Sequence, residues 1–227
     1  MREAEKQTII LALESGGDAS SAAICLPSGR MFHTITQARR GHAERLASQI
    51  EQVREQANLP FADITHIAAG CGPGSFTGIR VCLAAATGLI LAGGAEPVGI
   101  HMLEALLYQA SQTDDEVPVI AILDSRRQSV YARMSHAKAS FEGADLDLDE
   151  ASLHRLISDA PNSKLIGVLP KGWAQKLPQN TNYQPFMPSA ELVASFAAHK
   201  ISQKMPLAPL QAAYLAPPKL GPAPRAS

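Results

Sequence analysis

The sequence predicts an α/β protein. Its 227 residues are enough for one sizeable core or for two smaller ones, and short apolar strands alternate with helices along the chain. Two of the predicted strands end alike, in an acidic residue followed by serine, at Glu14-Ser15 and at Asp124-Ser125. Two lobes related in this way are typical of the actin-like ATPase architecture.

The first third of the chain predicts a three-stranded meander followed by a helix. The strands are expected over residues 8–13, 20–26 and 31–36. Between 41 and 58, apolar residues recur every three or four positions among charged ones, which predicts an amphipathic helix that Pro60 stops. A fourth strand, over 64–71, then leads into a glycine-rich turn.

This turn, Gly72-Pro-Gly-Ser-Phe-Thr-Gly78, carries the most information. A glycine-rich turn between a strand and a helix can present backbone N–H groups to a phosphate. However, no Lys precedes a Ser or Thr after the last glycine, as a P-loop requires, and Gly78 comes one residue too late for G-x-G-x-x-G. Residue chemistry alone therefore favours a helix start with Ser75 as its N-cap over a phosphate site.

The helix that follows the turn, to about Leu91, is apolar on nearly every side. Its uncharged stretch over 81–95 is shorter than the roughly 20 residues that span a bilayer, so we predict a buried helix. Small residues at Ala84, Gly88 and Ala92 would let another helix approach closely. A helix without a polar face must be covered twice, once by its own sheet and once by a second lobe or a second protein.

The remainder of the chain predicts a second set of elements and a proline-rich tail. Strands are expected over 98–100, 117–123, 129–135 and 164–169, and helices over 102–112, 148–160 and 189–204. Six of the sixteen prolines fall within 206–227, which predicts a wrapped or disordered tail. We therefore expect a first lobe over 1–102, a second over 103–205, and the tail.

Composition excludes several classes of protein. Lys plus Arg is 20 and Asp plus Glu is 21, so the chain lacks the basic excess of a protein that grips nucleic acid alone. Cys25, Cys71 and Cys82 contain no C-x-x-C pair, which excludes a disulfide framework and a zinc ribbon and fits a reducing cytosol. Neither Cys71 nor Cys82 has a nearby His to activate it. We predict a soluble cytoplasmic protein without a membrane segment.

Candidate catalytic groups are few. A metal site on the first helix would need a second ligand four residues after His42, but that position is Leu46. Glu14 and Asp124 could hold a magnesium ion through water at two strand ends, or they could simply cap turns there. Both interpretations of these two acids remain open.

Five segments of the chain together resemble a known family. They are Leu11-Ala-Leu-Glu-Ser15, His42-Ala-Glu-Arg-Leu46, Gly72-Pro-Gly-Ser-Phe-Thr-Gly-Ile-Arg80, Ala121-Ile-Leu-Asp-Ser-Arg126 with Val130-Tyr131, and Ala213-Tyr-Leu215. In this order they resemble the TsaB (YeaZ) family of the Gcp-like, glycoprotease-type group. These proteins belong to the bacterial machinery that makes threonylcarbamoyladenosine in tRNA.

The resemblance implies an actin-like (ASKHA, RNase H-like) fold with a reduced second lobe, and a scaffold subunit without catalytic or metal-binding residues. The chemistry would belong to a TsaD-type paralogue, which transfers a threonylcarbamoyl group to N6 of adenosine 37 in tRNA. A TsaE-type ATPase would dock on the heterodimer, and tRNA would bind only through the complex. A homodimer is expected without the partner, and the only cofactor expected is weakly bound ATP or ADP with Mg.

The resemblance also implies two groups of site residues. The expected partner interface comprises His42, Ala43, Leu46, Ile50, Ser75, Phe76, Thr77, Ile79, Arg80, Leu83 and Gly88. A vestigial nucleotide or phosphate site is expected at Glu14, Ser15, Gly74, Asp124 and Arg126. The chain departs from the family where Glu14 replaces an Asp and where Ala216 replaces the Arg of a Y-L-R motif.

Two other functions remain open from the sequence. An actin-like ATPase or kinase acting alone would bind nucleotide through Glu14, Ser75, Thr77 and Asp124. A metallopeptidase, which the name of the group suggests, would need metal ligands that the sequence does not supply.

Overall fold

The computed structural model describes residues 7–37, 42–113, 116–136 and 140–215. Within these residues, ten strands form two mixed five-stranded sheets, and five α-helices pack around and between them. The α/β class predicted from the sequence is therefore confirmed.

The first sheet contains the predicted meander. Its strands are β1 (Ile10–Glu14), β2 (Ala19–Cys25), β3 (Met31–Gln37), β4 (His66–Gly70) and β5 (Glu96–Ile100), in the order β3-β2-β1-β4-β5. Strand β1 runs antiparallel to β2 and parallel to β4. All five of its residues are buried, because the strand is central and both faces of the sheet are covered.

Three helices accompany this sheet. They are α1 (His42–Ala57), α2 (Phe76–Gly93) and α3 (Met102–Ser111), which follow β3, β4 and β5 in turn. The bounds of α1 and α2 agree with the periodicity of the sequence to within two residues. Ser75 is the N-cap of α2, as predicted, and its hydroxyl accepts a hydrogen bond from the N–H of Gly78.

The second sheet repeats the first strand for strand. Its strands are β6 (Val119–Asp124), β7 (Val130–Ser135), β8 (Leu146–Leu148), β9 (Lys164–Gly167) and β10 (Asn182–Pro185), in the order β10-β9-β6-β7-β8. Helix α4 (Glu150–Asp159) precedes β9, and α5 (Ala190–Ser202) follows β10. In the position of α2, between β9 and β10, the second lobe has only a 3-10 turn at Ala174–Lys176.

The duplication explains the symmetry seen in the sequence. Strand β6 is antiparallel to β7 and parallel to β9, which is the pairing that β1 makes with β2 and β4. Glu14 and Asp124 end the two equivalent central strands. The two-lobed actin-like fold with a reduced second lobe is therefore confirmed, while the exact lobe boundaries stay a prediction.

The helices divide the molecule into layers. Helices α3 and α5 lie between the sheets, where Leu106 and Phe196 belong to the largest apolar core. Helix α5 lies in the predicted second lobe but packs against β1 and β2 of the first sheet. Helices α1 and α2 cover the other side of the first sheet, and α4 packs on the side of the second sheet remote from α3.

Residues 206–215, here called the C-terminal strap, return to the first lobe. Ala208 forms a β-bridge with Gly99 on the edge strand β5. The N–H of Ala213 donates to the carbonyl of Cys71 at 2.8 Å, next to the glycine-rich turn. This part of the predicted tail is wrapped, and the rest of the tail lies outside the described residues.

Substituting Gly78 tests the contact between α2 and the turn that follows β1. A Cβ atom at Gly78 would lie 1.9 Å from the backbone oxygen of Ser15, so α2 would have to move away. We expect Gly78→Ala to lower the free energy of unfolding by about 3 kcal/mol or more.

The matched control is Gly93→Ala at the other end of the helix, where a Cβ meets nothing within 4 Å. This change should leave stability unchanged or raise it by up to about 1 kcal/mol. Urea unfolding measures both variants, and equal effects would contradict the expected close contact.

Candidate functional site

A narrow cleft separates the two lobes at the ends of β1 and β6. Its walls come from the turn after β1, the glycine-rich turn before α2, and the turn after β6. Met102, Leu123 and Met187 form its apolar side. The open space amounts to about 50 Å³, which is room for a few water molecules.

Glu14 lies at the floor of this cleft. The residue is 3% exposed, and its carboxylate accepts a hydrogen bond from the N–H of Gly16 at 2.5 Å. Burial raises the pKa of Glu14 to about 7, and hydrogen bonds from the backbone of Gly16 and Gly17 offset this only in part. At neutral pH this carboxyl group is therefore partly protonated.

The glycine-rich turn uses its polar groups within the chain. The N–H of Ser75 donates to the carbonyl of Gly16 at 2.8 Å, and the N–H of Gly78 donates to the Ser75 hydroxyl at 3.3 Å. The hydroxyl of Ser15 donates to the carbonyl of Gly78 at 2.8 Å. These donors are therefore occupied, which favours the helix-start interpretation over a phosphate site.

An ion pair between the lobes closes the mouth of the cleft. Nη2 of Arg126 lies 2.8 Å from Oδ1 of Asp18, and both side chains are about half exposed. Arg126 has a left-handed backbone, and its N–H donates to Oδ1 of Asp124 at 2.7 Å. Asp124 therefore holds the β6–β7 turn. An exposed pair of this kind contributes at most about 1 kcal/mol, so it closes the cleft only weakly.

Four of the five residues predicted for a vestigial nucleotide site line this cleft, namely Glu14, Gly74, Asp124 and Arg126. Ser15 instead bonds to α2. Of the residues required by an ATPase acting alone, Ser75 caps α2 and Thr77 is exposed on that helix. In the part of the chain that the structure describes, no group of three or more His, Cys, Asp or Glu side chains could hold a metal ion.

Cys71 and His101 line a second cavity, beneath the strap, of about 310 Å³. Nε2 of His101 lies 3.1 Å from Oδ2 of Asp145, which orients the imidazole. Burial nevertheless raises the pKa of the Cys71 thiol to about 11, and the thiol donates to the carbonyl of Ala69. Cys71 is therefore protonated at neutral pH and lacks the character of an activated nucleophile.

The outer side of α2 forms a second candidate surface. Only its inner side is buried, at Gly78, Ile79, Cys82 and Ala86, where it packs against β1 and β4. The opposite side carries small and apolar residues together with Thr77, Arg80 and Thr87, and near its end Leu91 is 82% exposed. By length and composition α2 could cross a membrane, with 22% of it buried, although core helices of soluble proteins pass the same test.

The sequence left two covers open for the outer side of α2, a second lobe or a second protein, and in the isolated chain this side is exposed. Among the described residues, the second lobe does not cover this side, because its sheet lies beyond α3 and α5 on the opposite face of the first sheet. In the described part of the chain, α2 packs against its own sheet and against α1, and cover by a second protein stays a prediction.

A groove of about 380 Å³ runs between α1 and α2. Its lining is almost entirely apolar and comprises Ala47, Ile50, Phe61, Ala84, Ala85, Gly88 and Leu89, with Glu51 at its edge. A Cβ atom on Gly88 would meet nothing within 4 Å, so the backbone of α2 is open to a neighbour here. Small residues of this kind permit close packing of another helix.

The predicted interface residues fall into three sets on this side of the molecule. Leu46, Ile50 and Ile79 are buried, Ser75, Phe76 and Leu83 are half-buried, and Thr77, Arg80 and Gly88 are exposed. The buried residues pack under the outer surface of α1 and α2, and the exposed residues form part of that surface. His42 and Ala43 begin α1, but their side chains lie outside the described part of the structure.

Three exposed side chains here were not found from the sequence. Phe61 lies in a short turn, which has no periodic pattern to reveal it. Leu91 was identified only as the approximate end of the helix. Tyr214 was quoted only as part of a motif, although its hydroxyl accepts a hydrogen bond from Nε of Arg80 at 3.3 Å. This contact joins residues 134 positions apart, a distance at which one sequence gives no pairing signal.

Two sheets of the same strand order, with a cleft between their central strands, define a protein of the actin-like ATPase fold class. A family model described as "TsaD: tRNA N6-adenosine threonylcarbamoyltransferase" matches residues 35–207, and the chain belongs to this family. Within that Gcp-like group, the named relatives support the TsaB (YeaZ) branch and confirm the resemblance found in the sequence.

Three comparisons illustrate this relationship. The chain is 32% identical over 122 residues to "tRNA threonylcarbamoyladenosine biosynthesis protein TsaB" of Haemophilus influenzae, a match covering 54% of this chain and 51% of that protein. It is 33% identical over 135 residues to "tRNA N6-adenosine threonylcarbamoyltransferase" of Erythrobacter litoralis, covering 52% and 39%. The structure of "YeaZ from Pseudomonas aeruginosa" superposes with a TM-score of 0.74 at 23% identity, covering 92% of this chain and 100% of that chain. The chain thus spans about half the length of the Haemophilus influenzae relative and less than half of the transferase.

Replacing Glu14 tests the buried carboxyl at the floor of the cleft. Because the folded-state pKa, about 7, lies above the ordinary 4.5, the folded chain binds more protons than the unfolded chain in this window. Stability should therefore fall as the pH rises from 4.5 to 7, and Glu14→Gln should remove this loss. We expect wild type to lose about 3 kcal/mol relative to the variant across the window.

Urea unfolding of both proteins at several pH values measures this difference. Subtracting the two curves removes the titration of all other groups, so only the difference is diagnostic. Parallel curves would contradict a raised pKa for Glu14.

Proposed function

We propose that this chain is a non-catalytic scaffold subunit that binds and activates a TsaD-type transferase for threonylcarbamoylation of N6 of adenosine in tRNA. The observation that carries the proposal is the exposed apolar face of α1 and α2. Relatives named for this biosynthesis, and a relative named as the transferase itself, supply the class of reaction and of partner.

The face has the properties of a surface that a partner covers. Leu91 and Phe61 are 82% and 40% exposed, and burying one such side chain stabilises a complex by about 1.5–3 kcal/mol. The groove between the two helices offers small residues to an incoming helix. A paralogue with the same fold would present an equivalent pair of helices, so the two proteins could pack helix against helix.

The small volume and the hydrogen bonding of the cleft support a non-catalytic role. Its open space is about 50 Å³, its floor is a carboxyl group with a raised pKa, and the backbone donors beside it are occupied. Catalysis is therefore assigned to the partner. The near-neutral charge of the chain agrees with binding of tRNA only through the complex.

Three further elements of the proposal come from the family resemblance. A TsaE-type ATPase docks on the heterodimer, and the chain forms a homodimer through its apolar face when the partner is missing. The complex acts in the cytoplasm. Each of these stays a prediction until it is measured.

A second candidate is an actin-like ATPase or kinase acting alone. It is favoured by the convergence of Glu14, Gly74, Asp124 and Arg126 on one cleft. Calorimetric titration of the isolated chain with ATP or ADP and Mg discriminates the two functions. We expect at most weak binding and no hydrolysis, whereas tight binding with turnover would favour the second candidate.

Reconstitution tests the proposal directly. The chain, its cognate TsaD-type and TsaE-type proteins, threonylcarbamoyl-adenylate and tRNA are combined, and the modified nucleoside is measured by mass spectrometry. We expect modification to fall to background when this chain is omitted. Unchanged modification without the chain would overturn the scaffold role.

A large residue at position 88 tests the partner face. Gly88 is exposed with open space around it, so Gly88→Trp should leave the isolated chain folded while preventing helix packing across the groove. We expect the dissociation constant for the TsaD-type partner to rise at least 100-fold, measured by calorimetry.

Ser158→Trp, on the exposed side of α4, is the matched control and should bind the partner as wild type does. Circular dichroism checks that both variants fold. An unchanged dissociation constant for Gly88→Trp would show that the partner does not use this face.

A further inference from the structure

The C-terminal strap ends against the first turn of α2. The N–H of Ala213 donates to the carbonyl of Cys71, which places the next residue, Tyr214, beside the helix. The rings of Tyr214 and Phe76 have centroids 5.0 Å apart and are tilted by 38°. The Tyr214 hydroxyl accepts a hydrogen bond from Nε of Arg80 at 3.3 Å.

Arg80 completes a compact cluster with these two rings. Its guanidinium lies over the ring of Phe76, 3.8 Å from the centroid, in a cation–π arrangement. Tyr214 is 41% exposed and Arg80 is also exposed, so the cluster of Phe76, Arg80 and Tyr214 lies at the surface. Within the described residues, Arg80 forms no ion pair with a carboxylate.

The cluster continues the apolar face of α2. With 3.6 residues per turn, Phe76, Arg80, Ala84, Gly88 and Leu91 fall within about 120° around the helix axis. They extend along it for about 22 Å, at 1.5 Å per residue. Tyr214 therefore abuts the N-terminal end of the same stripe that the partner is proposed to cover.

The ring of Tyr214 is not the only attachment of the strap. Ala208 is bridged to Gly99, Leu210 packs against the core beneath α1 and α2, and Ala213 is bonded to Cys71. An exposed aromatic side chain whose segment is already held at three points is available for a contact outside the chain.

We propose that the strap is part of the partner interface, and that Tyr214, Phe76 and Arg80 anchor one end of it. The occupant is a helical face of the TsaD-type paralogue that carries a carboxylate opposite Arg80, a commitment that rests on the proposed function. Tyr and Arg are enriched among the residues that dominate binding energy at interfaces. The guanidinium of Arg80 lies at the end of an apolar stripe and has no carboxylate beside it among the described residues. A complementary paralogue therefore supplies a negative charge at this point.

Binding to the cognate TsaD-type protein tests the inference with three variants. Tyr214→Ala removes the ring, and we expect the dissociation constant to rise at least tenfold. Tyr214→Phe keeps the ring and loses only the hydroxyl acceptor, so we expect less than a threefold change. Arg80→Gln removes the charge and should reduce the salt dependence of the dissociation constant.

The matched control is Gln211→Ala. Gln211 is an exposed strap residue that does not belong to the cluster, so this variant should bind the partner as wild type does. Amide exchange of residues 206–215, measured with and without the partner, needs no variant. We expect slower exchange in this segment in the complex.

The outcomes separate this inference from the proposed function. If Gly88→Trp prevents binding while Tyr214→Ala does not weaken it and strap exchange is unchanged, the partner covers α2 without the strap, and the inference is overturned. If the wild-type chain does not bind the paralogue at all, the proposed function fails and the inference fails with it.

Discussion

The contact between the turn after β1 and the first turn of α2 determines both candidate surfaces. Gly78 lies so close to Ser15 that no side chain fits between them, and the N–H of Ser75 donates a hydrogen bond to the carbonyl of Gly16 across the same contact. The contact therefore occupies the backbone N–H of Ser75, which is then unavailable to a ligand. It also fixes how α2 is turned about its axis, so that Cys82 and Ala86 face the sheet and Leu91 faces outward.

Duplication of the sheet without duplication of α2 gives the molecule its asymmetry. Each lobe has the same five-stranded order, yet the second lobe replaces α2 with a single 3-10 turn at Ala174–Lys176. Because α3 and α5 fill the space between the sheets, each lobe retains one outer side. The outer side of the first lobe is a pair of helices with an apolar groove, while the outer side of the second lobe carries, in the described residues, the single helix α4. A partner that recognises two packed helices can therefore bind the first lobe but finds no equivalent surface among the described elements of the second.

Elements with strong local patterns could be predicted from the sequence, and those defined by long-range contacts could not. The periodicity of α1 and the apolar run of β1 located both elements closely. Strand β8, three residues long, and β10, four residues long, carry too few residues for a periodic signal. Glu14 and Asp124 were placed correctly at equivalent strand ends. Their environments differ, because burial raises the pKa of Glu14 while Asp124 accepts a hydrogen bond from the N–H of Arg126, and residue types alone do not encode this difference. The partial exposure of α2 depends on which layer the second sheet occupies.

The position of α5 has a consequence for how the chain folds while it is being synthesised. The first sheet is complete in sequence at Ile100, but the helix that covers its inner face ends at Ser202, about 100 residues later. At about 5–20 residues per second, a ribosome needs roughly 5–20 s to supply that cover. During this interval the inner face, with Ala12 and Val98, lacks its final packing partner. The core of the first lobe is therefore completed only after the strands of the second sheet have been synthesised.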